Sequence, residues 1–363
     1  MTKKLHIVVG MSGGVDSAVA SLLLQQAGHK VTAVFMQNWQ DQDQNQDKDQ
    51  HCSAAKDYAD ATQVCKILNI PLLAVNFSKE YWQQVFEYFL NEYANFRTPN
   101  PDVLCNKEIK FKAFLSYANE LGADYIATGH YVRIEFSNNK FCLLKGVDAT
   151  KDQSYFLYLL NQDQLAKSLF PVGHLTKTRV REIAAAAHFP NQHKKDSTGI
   201  CFIGERKFKA FLSEYLLAKP GVIITTDNKT IGEHDGLMFY TIGQRQGLKI
   251  GGQKNAAEAP WYVAAKDIKN NLLIVTQNRM HPLLSKTQLI SKELHWISNV
   301  APKMPYSCAA KIRYRQLDQA CTISQTNNES CSVEFKTPQW AITPGQSVVF
   351  YNNDECLGGG IIV

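Results

Sequence analysis

Three short segments hold most of the chemistry this sequence can do. The first is Gly10-Met11-Ser12-Gly13-Gly14-Val15-Asp16-Ser17, set between a short apolar run and a stretch of helical spacing. Adjacent glycines let a backbone turn tightly enough for consecutive N–H groups to face one concavity. The helix that follows adds its positive end, and the hydroxyls of Ser12 and Ser17 add donors, so the string suits a pyrophosphate. It is not a Walker A loop, because no Gly-Lys-Ser/Thr follows the glycines. Asp16 is too acidic to touch phosphate directly and makes better sense as a magnesium anchor. A glycine pair alone could serve turn geometry; the whole string in this position points to a nucleotide.

The other two segments carry cysteines. Cys105 follows Asn100-Pro101-Asp102-Val103-Leu104, where two prolines (Pro99 and Pro101) stiffen a loop ahead of a predicted helix. A helix start with Lys107 and Lys110 nearby favours a thiolate. Asp102, three residues earlier, is placed to exchange protons with a bound base or with the thiol. Cys201 lies in Lys194-Lys195-Asp196-Ser197-Thr198-Gly199-Ile200-Cys201-Phe202-Ile203-Gly204-Glu205-Arg206, which has neither helical nor strand period and is flanked by positive charge. Such a setting suits a thiol that accepts sulfur in one place and delivers it in another. From local chemistry alone, each cysteine could equally be a buried structural one.

Bulk properties narrow the setting without choosing a function. At 363 residues the chain calls for two or three domains, since one core rarely extends past about 250–300 residues. No run of about 18 apolar residues is present, and Met1–Leu5 leads straight into a first strand without a signal-peptide pattern, so a cytoplasmic protein without membrane attachment is expected. Nine irregularly spaced cysteines do not form a disulfide framework. The absence of a Cys-x-x-Cys pair argues against an iron–sulfur cluster or structural zinc. A net charge of +6 permits a polyanionic partner but does not demand one.

The elements that must position these residues follow from hydrophobic periodicity. Residues 1–160 alternate strand-like runs (Leu5–Gly10, Val31–Met36, Leu72–Val75, Tyr125–Thr128) with helical stretches, which predicts a doubly wound parallel sheet of α/β class. Ligands in such sheets bind beyond the carboxyl ends of the strands, where Gly10–Ser17 and Gly129-His130 fall. The segment Gln37–His51, rich in Gln and Asp, reads as an exposed loop. Residues 161–219 predict a small, mostly helical central domain carrying the Cys201 loop. Residues 220–363 contain short strands between Gly, Asn and Asp turns, which favours a C-terminal antiparallel β-barrel.

The Ser12–Ser17 string resembles the PP-loop ATP pyrophosphatases. That resemblance implies ATP, with Mg2+, cleaved between its α and β phosphates, AMP transfer to an oxygen, and Met36 and Gly129 bordering the adenine. With the two cysteine segments, Gly129-His130-Tyr131, Lys151-Asp152-Gln153-Ser154-Tyr155-Phe156, Gly243-Gln244-Arg245 and Gly358-Gly359-Gly360-Ile361-Ile362, the chain resembles the bacterial-type tRNA-specific 2-thiouridylases over essentially its whole length. The Gln/Asp-rich loop is the main departure.

The resemblance implies 2-thiolation of a wobble uridine in tRNA. Its base oxygen would be adenylated, then replaced by the terminal sulfur of a Cys201 persulfide loaded by a cysteine desulfurase or relay protein. AMP leaves, and Cys105 and Cys201 end as a disulfide. Asp102 would be the general acid/base. The target base must leave its stack, and Asn100, Pro101 and Asp102 are the residues expected to contact it. Contacts to tRNA are expected from Arg206, Lys207, Lys209, Arg313 and Tyr314, and by the resemblance from His130, Lys151, Asp152, Gln153 and Gln346. Read in isolation, His130 is a structural histidine and the basic residues a solvated face. Two rivals stay open: a synthetase that adenylates a small carboxylate, which would need neither cysteine, and a nucleotide-gated RNA-binding protein, which would tolerate serine at both.

Overall fold

The structure, a computed structural model, describes residues 3–39, 48–195, 208–250, 259–327 and 329–363, with backbone alone at 48–53 and 327. The first module has strands β1 (His6–Gly10), β2 (Lys30–Gln37), β3 (Leu72–Asn76) and β4 (Tyr125–Ala127). A hairpin follows, β5 (Val132–Ser137) and β6 (Lys140–Lys145), and then β7 (Ser168–Leu169). The first sheet runs β3-β2-β1-β4-β7 with every neighbour parallel. Ile7, Val8 and Val9 of the central strand are fully buried, as expected of a strand covered on both faces. Its covering helices include α1 (Val15–Gln26), α2 (Lys48–Leu68), α3 (residues 78–94) and α4 (residues 101–120). Both α3 and α4 contain π-helical stretches, Trp82–Phe86 and Cys105–Ala113. Such wide turns concentrate at functional sites.

The middle of the chain supplies α5 (Gln162–Ala166), α6 (Lys177–Ala186) and α7 (Phe208–Ser213). Four strands follow: β8 (Gly221–Thr225), β9 (Thr230–His234), β10 (Tyr262–Asp267) and β11 (Leu272–Thr276). They form a separate sheet of order β10-β11-β8-β9 whose central pair is parallel.

The last module is the expected antiparallel barrel. Strands β12 (Ser285–Trp296), β13 (Tyr306–Lys311), β14 (Gln319–Asn327), β15 (Ser330–Trp340), β16 (Ser347–Asn352) and β17 (Glu355–Ile362) pair in the order β12-β15-β14-β13-β16-β17, and β12 closes the ring on β17. Closure leaves no free edge in the ring. It also brings backbones close: a Cβ at Gly358 would lie 2.0 Å from the His295 carbonyl oxygen, and one at Gly360 2.4 Å from Ser291 Oγ. The glycine run is thus what lets β17 seal the barrel. Strand β6 adds to β17 from outside through Leu143 and Leu144, so the β5–β6 hairpin ties the first module to the barrel.

Candidate nucleotide and thiol site

β1 ends at Gly10 and the chain turns through Met11–Gly14 into α1. Gly13 adopts φ +73°, and a Cβ there would lie 2.3 Å from the Asp57 carbonyl oxygen of α2. Gly14 is the N-cap of α1, with no side chain capping the first turn. The orphan N–H groups of a helix start are ready donors for an anion. Ser12 and Ser17 hold their hydroxyl oxygens 3.3 Å apart at the same place. Gly129, just beyond β4, presses on this helix start; a Cβ would come within 2.7 Å of the Ser17 nitrogen. The Met36 methyl lies 3.1 Å from where a Gly10 Cβ would be. Val15 and Met11 are buried beneath. Ends of neighbouring parallel strands and one uncapped helix therefore converge on a glycine-lined cradle, and its donors fit a polyphosphate.

Asp16, on the first turn of α1, is engaged within the chain. Both carboxylate oxygens accept from Lys177 Nζ at 2.8 Å, and Oδ1 also accepts from the Tyr131 hydroxyl at 2.7 Å. As a hard oxygen donor beside the cradle it fits a divalent cation in kind. Lys177 had no local sequence signal; only the packing of α6 against α1 brings it here. On the outer side of the cradle, the Gly13 carbonyl accepts from Asn191 Nδ2 (3.0 Å) and from Lys194 Nζ (3.2 Å). Lys194 also binds Asp57 at 2.6 Å and Asp60 at 2.5 Å.

The thiol cluster is built on α4. Asn100 is its N-cap in extended conformation and Pro101 occupies the first helical position, where the missing N–H costs nothing. The helix starts four residues before Cys105, not after it as the sequence suggests, because proline and N-cap fix the start. Cys105 is 2% exposed and stands one turn after Asp102. Burial raises the Asp102 carboxyl above its ordinary value, partly offset by the Lys110 ammonium. Burial, with help from the same ammonium, pushes His130 well below its ordinary value. His130 is thus neutral, with Nδ1 2.7 Å from Thr128 Oγ1 and its ring packed against Phe111 and Phe170, which also touch each other. The buried Asn106 donates to the Phe156 carbonyl, while its Oδ1 has no hydrogen-bond partner among the described residues.

The residues expected to touch RNA are placed as follows. Gln346 Nε2 donates to the carbonyls of Thr98 (2.7 Å) and Pro99 (3.2 Å), pinning to the barrel the loop that leads into Asn100-Pro101-Asp102. Asp152 is buried and accepts from the Gly146 and Ser154 amides, while Gln153 accepts from the Tyr131 amide. Lys151 is half-buried nearby. Arg313 donates to the Trp340 and Ala341 carbonyls, and Tyr314 packs on Phe156 with ring centres 4.4 Å apart. Lys209 pairs with Asp235. Cys201, Arg206 and Lys207 lie outside the described residues. Among the described residues no group of three or more His, Cys, Asp or Glu could hold a metal, and no helix is long and apolar enough to cross a membrane.

Fold and cradle define a HUP-domain protein of the PP-loop kind. Residues 5–205 match the family described as the tRNA methyl transferase HUP domain, 209–277 its PRC-barrel domain, and 286–362 the aminomethyltransferase beta-barrel domain. The chain is 57% identical over 359 residues to tRNA-specific 2-thiouridylase MnmA of Nitrosomonas eutropha, covering 99% of this chain and 98% of that one. It is 56% identical to the protein so named from Coxiella burnetii strain RSA 493, covering 98% and 97%. For that of Methylococcus capsulatus the figures are 56%, 99% and 96%. The chain belongs to the tRNA-specific 2-thiouridylase family.

Proposed function

We propose that this protein is an ATP-dependent tRNA-uridine 2-sulfurtransferase acting on the wobble uridine. The observation that carries the reading is the placement of a carboxyl and a thiol, Asp102 and Cys105, on successive turns of one helix start in a domain that also presents an uncapped, glycine-lined polyphosphate cradle. A small-carboxylate synthetase needs only the cradle. The family relationship favours the same choice, since the relatives named above are called tRNA-specific 2-thiouridylases.

ATP, as co-substrate, supplies the adenylyl group that turns the base oxygen into a leaving group, with pyrophosphate departing. The residues we assign to its binding are Gly10–Ser17, Met36 and Gly129. Asp16 would hold Mg2+, for which its carboxylate is the right kind of donor. Asn100, Pro101 and Asp102 contact the flipped base. A carboxyl whose proton affinity is raised by burial keeps its proton to higher pH than an exposed one, which suits the proton-exchange role assigned to Asp102.

Sulfur enters as a Cys201 persulfide, formed by a desulfurase or relay partner. Its terminal sulfur bonds to the activated base carbon as AMP leaves with the oxygen. Cys105 then attacks the Cys201 sulfur, which frees the thiolated base and leaves a Cys105–Cys201 disulfide for an external thiol to reduce. His130, Lys151, Asp152, Gln153, Arg206, Lys207, Lys209, Arg313, Tyr314 and Gln346 are assigned to the tRNA side. For Asp152, Arg313 and Gln346 the intramolecular bonds described above make the assignment one of shaping the surface.

The test is a reconstituted reaction with tRNA, ATP, Mg2+ and a persulfide donor, digested and read by mass spectrometry. ATP-dependent 2-thiouridine that requires both cysteines supports the reading. AMP release without sulfur gain would return it to the small-molecule synthetase.

A further inference from the structure

Residues 97–100 lead into Asp102 and Cys105 and lie between α3 and α4 in neither helix nor strand, so contacts from outside decide their course. The chain enters them from a strained turn. At the end of α3 the Phe96 N–H donates to the Tyr93 carbonyl and the Arg97 N–H to the Glu92 carbonyl, both at 2.9 Å, and Phe96 takes φ +59°. This is the helix ending that glycine usually closes. Left-handed backbone is unfavourable for an aromatic residue and persists only where the surroundings hold it. Lys266 on β10 supplies such a hold: its Nζ donates to the Phe96 carbonyl at 2.9 Å. We propose that Lys266 is a positioning residue for sulfur transfer, fixing where the chain leaves α3 and thereby where Asp102 and Cys105 stand. This rests on the roles given above to Asp102 and Cys105, and it adds a residue from a different module of the fold.

The lysine is a costly choice for its place. It is partly buried, and among the described residues no carboxylate pairs with its ammonium. Burial lowers its proton affinity, bringing it down to about 8. An ammonium drawn out of water for one neutral hydrogen bond loses solvation that the bond does not return in full. An apolar side chain of similar length would serve packing better. Stability alone does not account for an ammonium here, whereas its grip on Phe96 does.

The middle of the segment is held by other groups. The Thr98 N–H donates to the Pro344 carbonyl at 3.0 Å, and Gln346 donates to the Thr98 and Pro99 carbonyls. A Cβ at Gly345 would lie 2.9 Å from the Thr98 nitrogen and oxygen, and Thr241 Oγ1 stands 3.1 Å from Thr98 Oγ1. The Arg97 guanidinium turns back to the buried Glu92 of α3, with its Nε at 2.7 Å. Lys266 thus secures the upstream end. Without it the turn can relax toward ordinary backbone, and the displacement passes along residues 97–100 into the start of α4. A misplacement of about 1 Å at reacting groups can cost on the order of 10²-fold in rate; the anchors on Thr98 and Pro99 limit the shift, so a smaller loss is expected. No covalent step is involved.

Steady-state thiolation by the full chain tests the assignment, with kcat referred to the concentration of ATP-binding sites so that any loss of folded protein drops out. Lys266→Met is expected to lower kcat about ten-fold, while KM for tRNA and the affinity for ATP change by less than about two-fold. Its melting temperature should stay level or rise, because the ammonium's lost solvation is relieved. If Lys266→Met does not fold, Lys266→Gln, polar but one bond shorter, takes its place with the same expected loss. Wild-type kcat in the variant that folds, or a parallel fall in ATP affinity, would overturn the proposal. A change confined to KM for tRNA would make Lys266 an RNA-binding residue and overturn it as well. A wild-type chain that forms no 2-thiouridine overturns the functional reading itself, whereas thiolation indifferent to Lys266 overturns only this inference.

Discussion

Gly13→Ala tests whether the nucleotide loop is held in place by α2. Gly13 and Gly28 both adopt left-handed backbone, with φ of +73° and +88°. Placing an L-residue there costs roughly 1–2 kcal/mol at either position. Beyond that the two differ. Among the described residues a Cβ at Gly28 meets nothing within 4 Å, while one at Gly13 lies 2.3 Å from the Asp57 carbonyl oxygen and 2.9 Å from its carbon and Cα. All three atoms are backbone, so relief requires α2 or the loop to shift, an overpacking cost of roughly 1–3 kcal/mol. Gly28→Ala should therefore destabilise by about 1–2 kcal/mol and Gly13→Ala by about 2–5 kcal/mol. Urea unfolding read by tryptophan fluorescence measures both, and ATP affinity is measured on the same samples. Affinity should survive at Gly28 and drop at Gly13, where the cradle must deform. Equal destabilisation, or a Gly13→Ala protein that binds ATP normally, would refute the packing argument.

Further outcomes follow from the same geometry. Cys105→Ser and Cys201→Ser should each abolish thiolation while leaving ATP binding nearly unchanged; normal thiolation in either variant removes that cysteine's assigned role. Burial raises the Asp102 carboxyl, so over the pH range between its unfolded and folded values the folded state keeps a proton that the unfolded state has lost. Stability contributed at this site therefore falls as pH rises through that window. Asp102→Asn should be more stable than the parent at neutral pH, with the gain disappearing below about pH 4, yet be defective in thiolation. Thermal melts across pH, alongside activity, check both halves. Gln346→Ala removes two hydrogen bonds to the Thr98–Pro99 carbonyls, each worth about 1 kcal/mol. It should lower kcat/KM about 5–30-fold without altering ATP affinity. A loss confined to tRNA affinity at constant kcat would assign Gln346 to direct RNA contact instead.

Local patterns were sufficient for much of this molecule. Strand–helix alternation and the glycines of the loop act over a few residues, so the parallel sheet and the turn into α1 could be read from the chain, whereas α4 starts at Pro101, ahead of Cys105 and not after it. Strand β12 could not, because Ser285–Trp296 is mostly polar and buries chiefly Leu289 and Ser291. Nor could the β5–β6 hairpin, whose pairing with β17 is a contact more than two hundred residues distant in sequence. The same limit applies to the site. Residue types raise the expectation of a phosphate loop and a reactive thiol, but Asp16 meeting Lys177, Gly13 meeting Asp57 and Gln346 meeting Thr98 depend on packing between separate elements. Short-range chemistry and periodicity are written in the chain itself. Which charge neutralises which, and which loop is held by which strand, is decided only when helices and barrel close on one another.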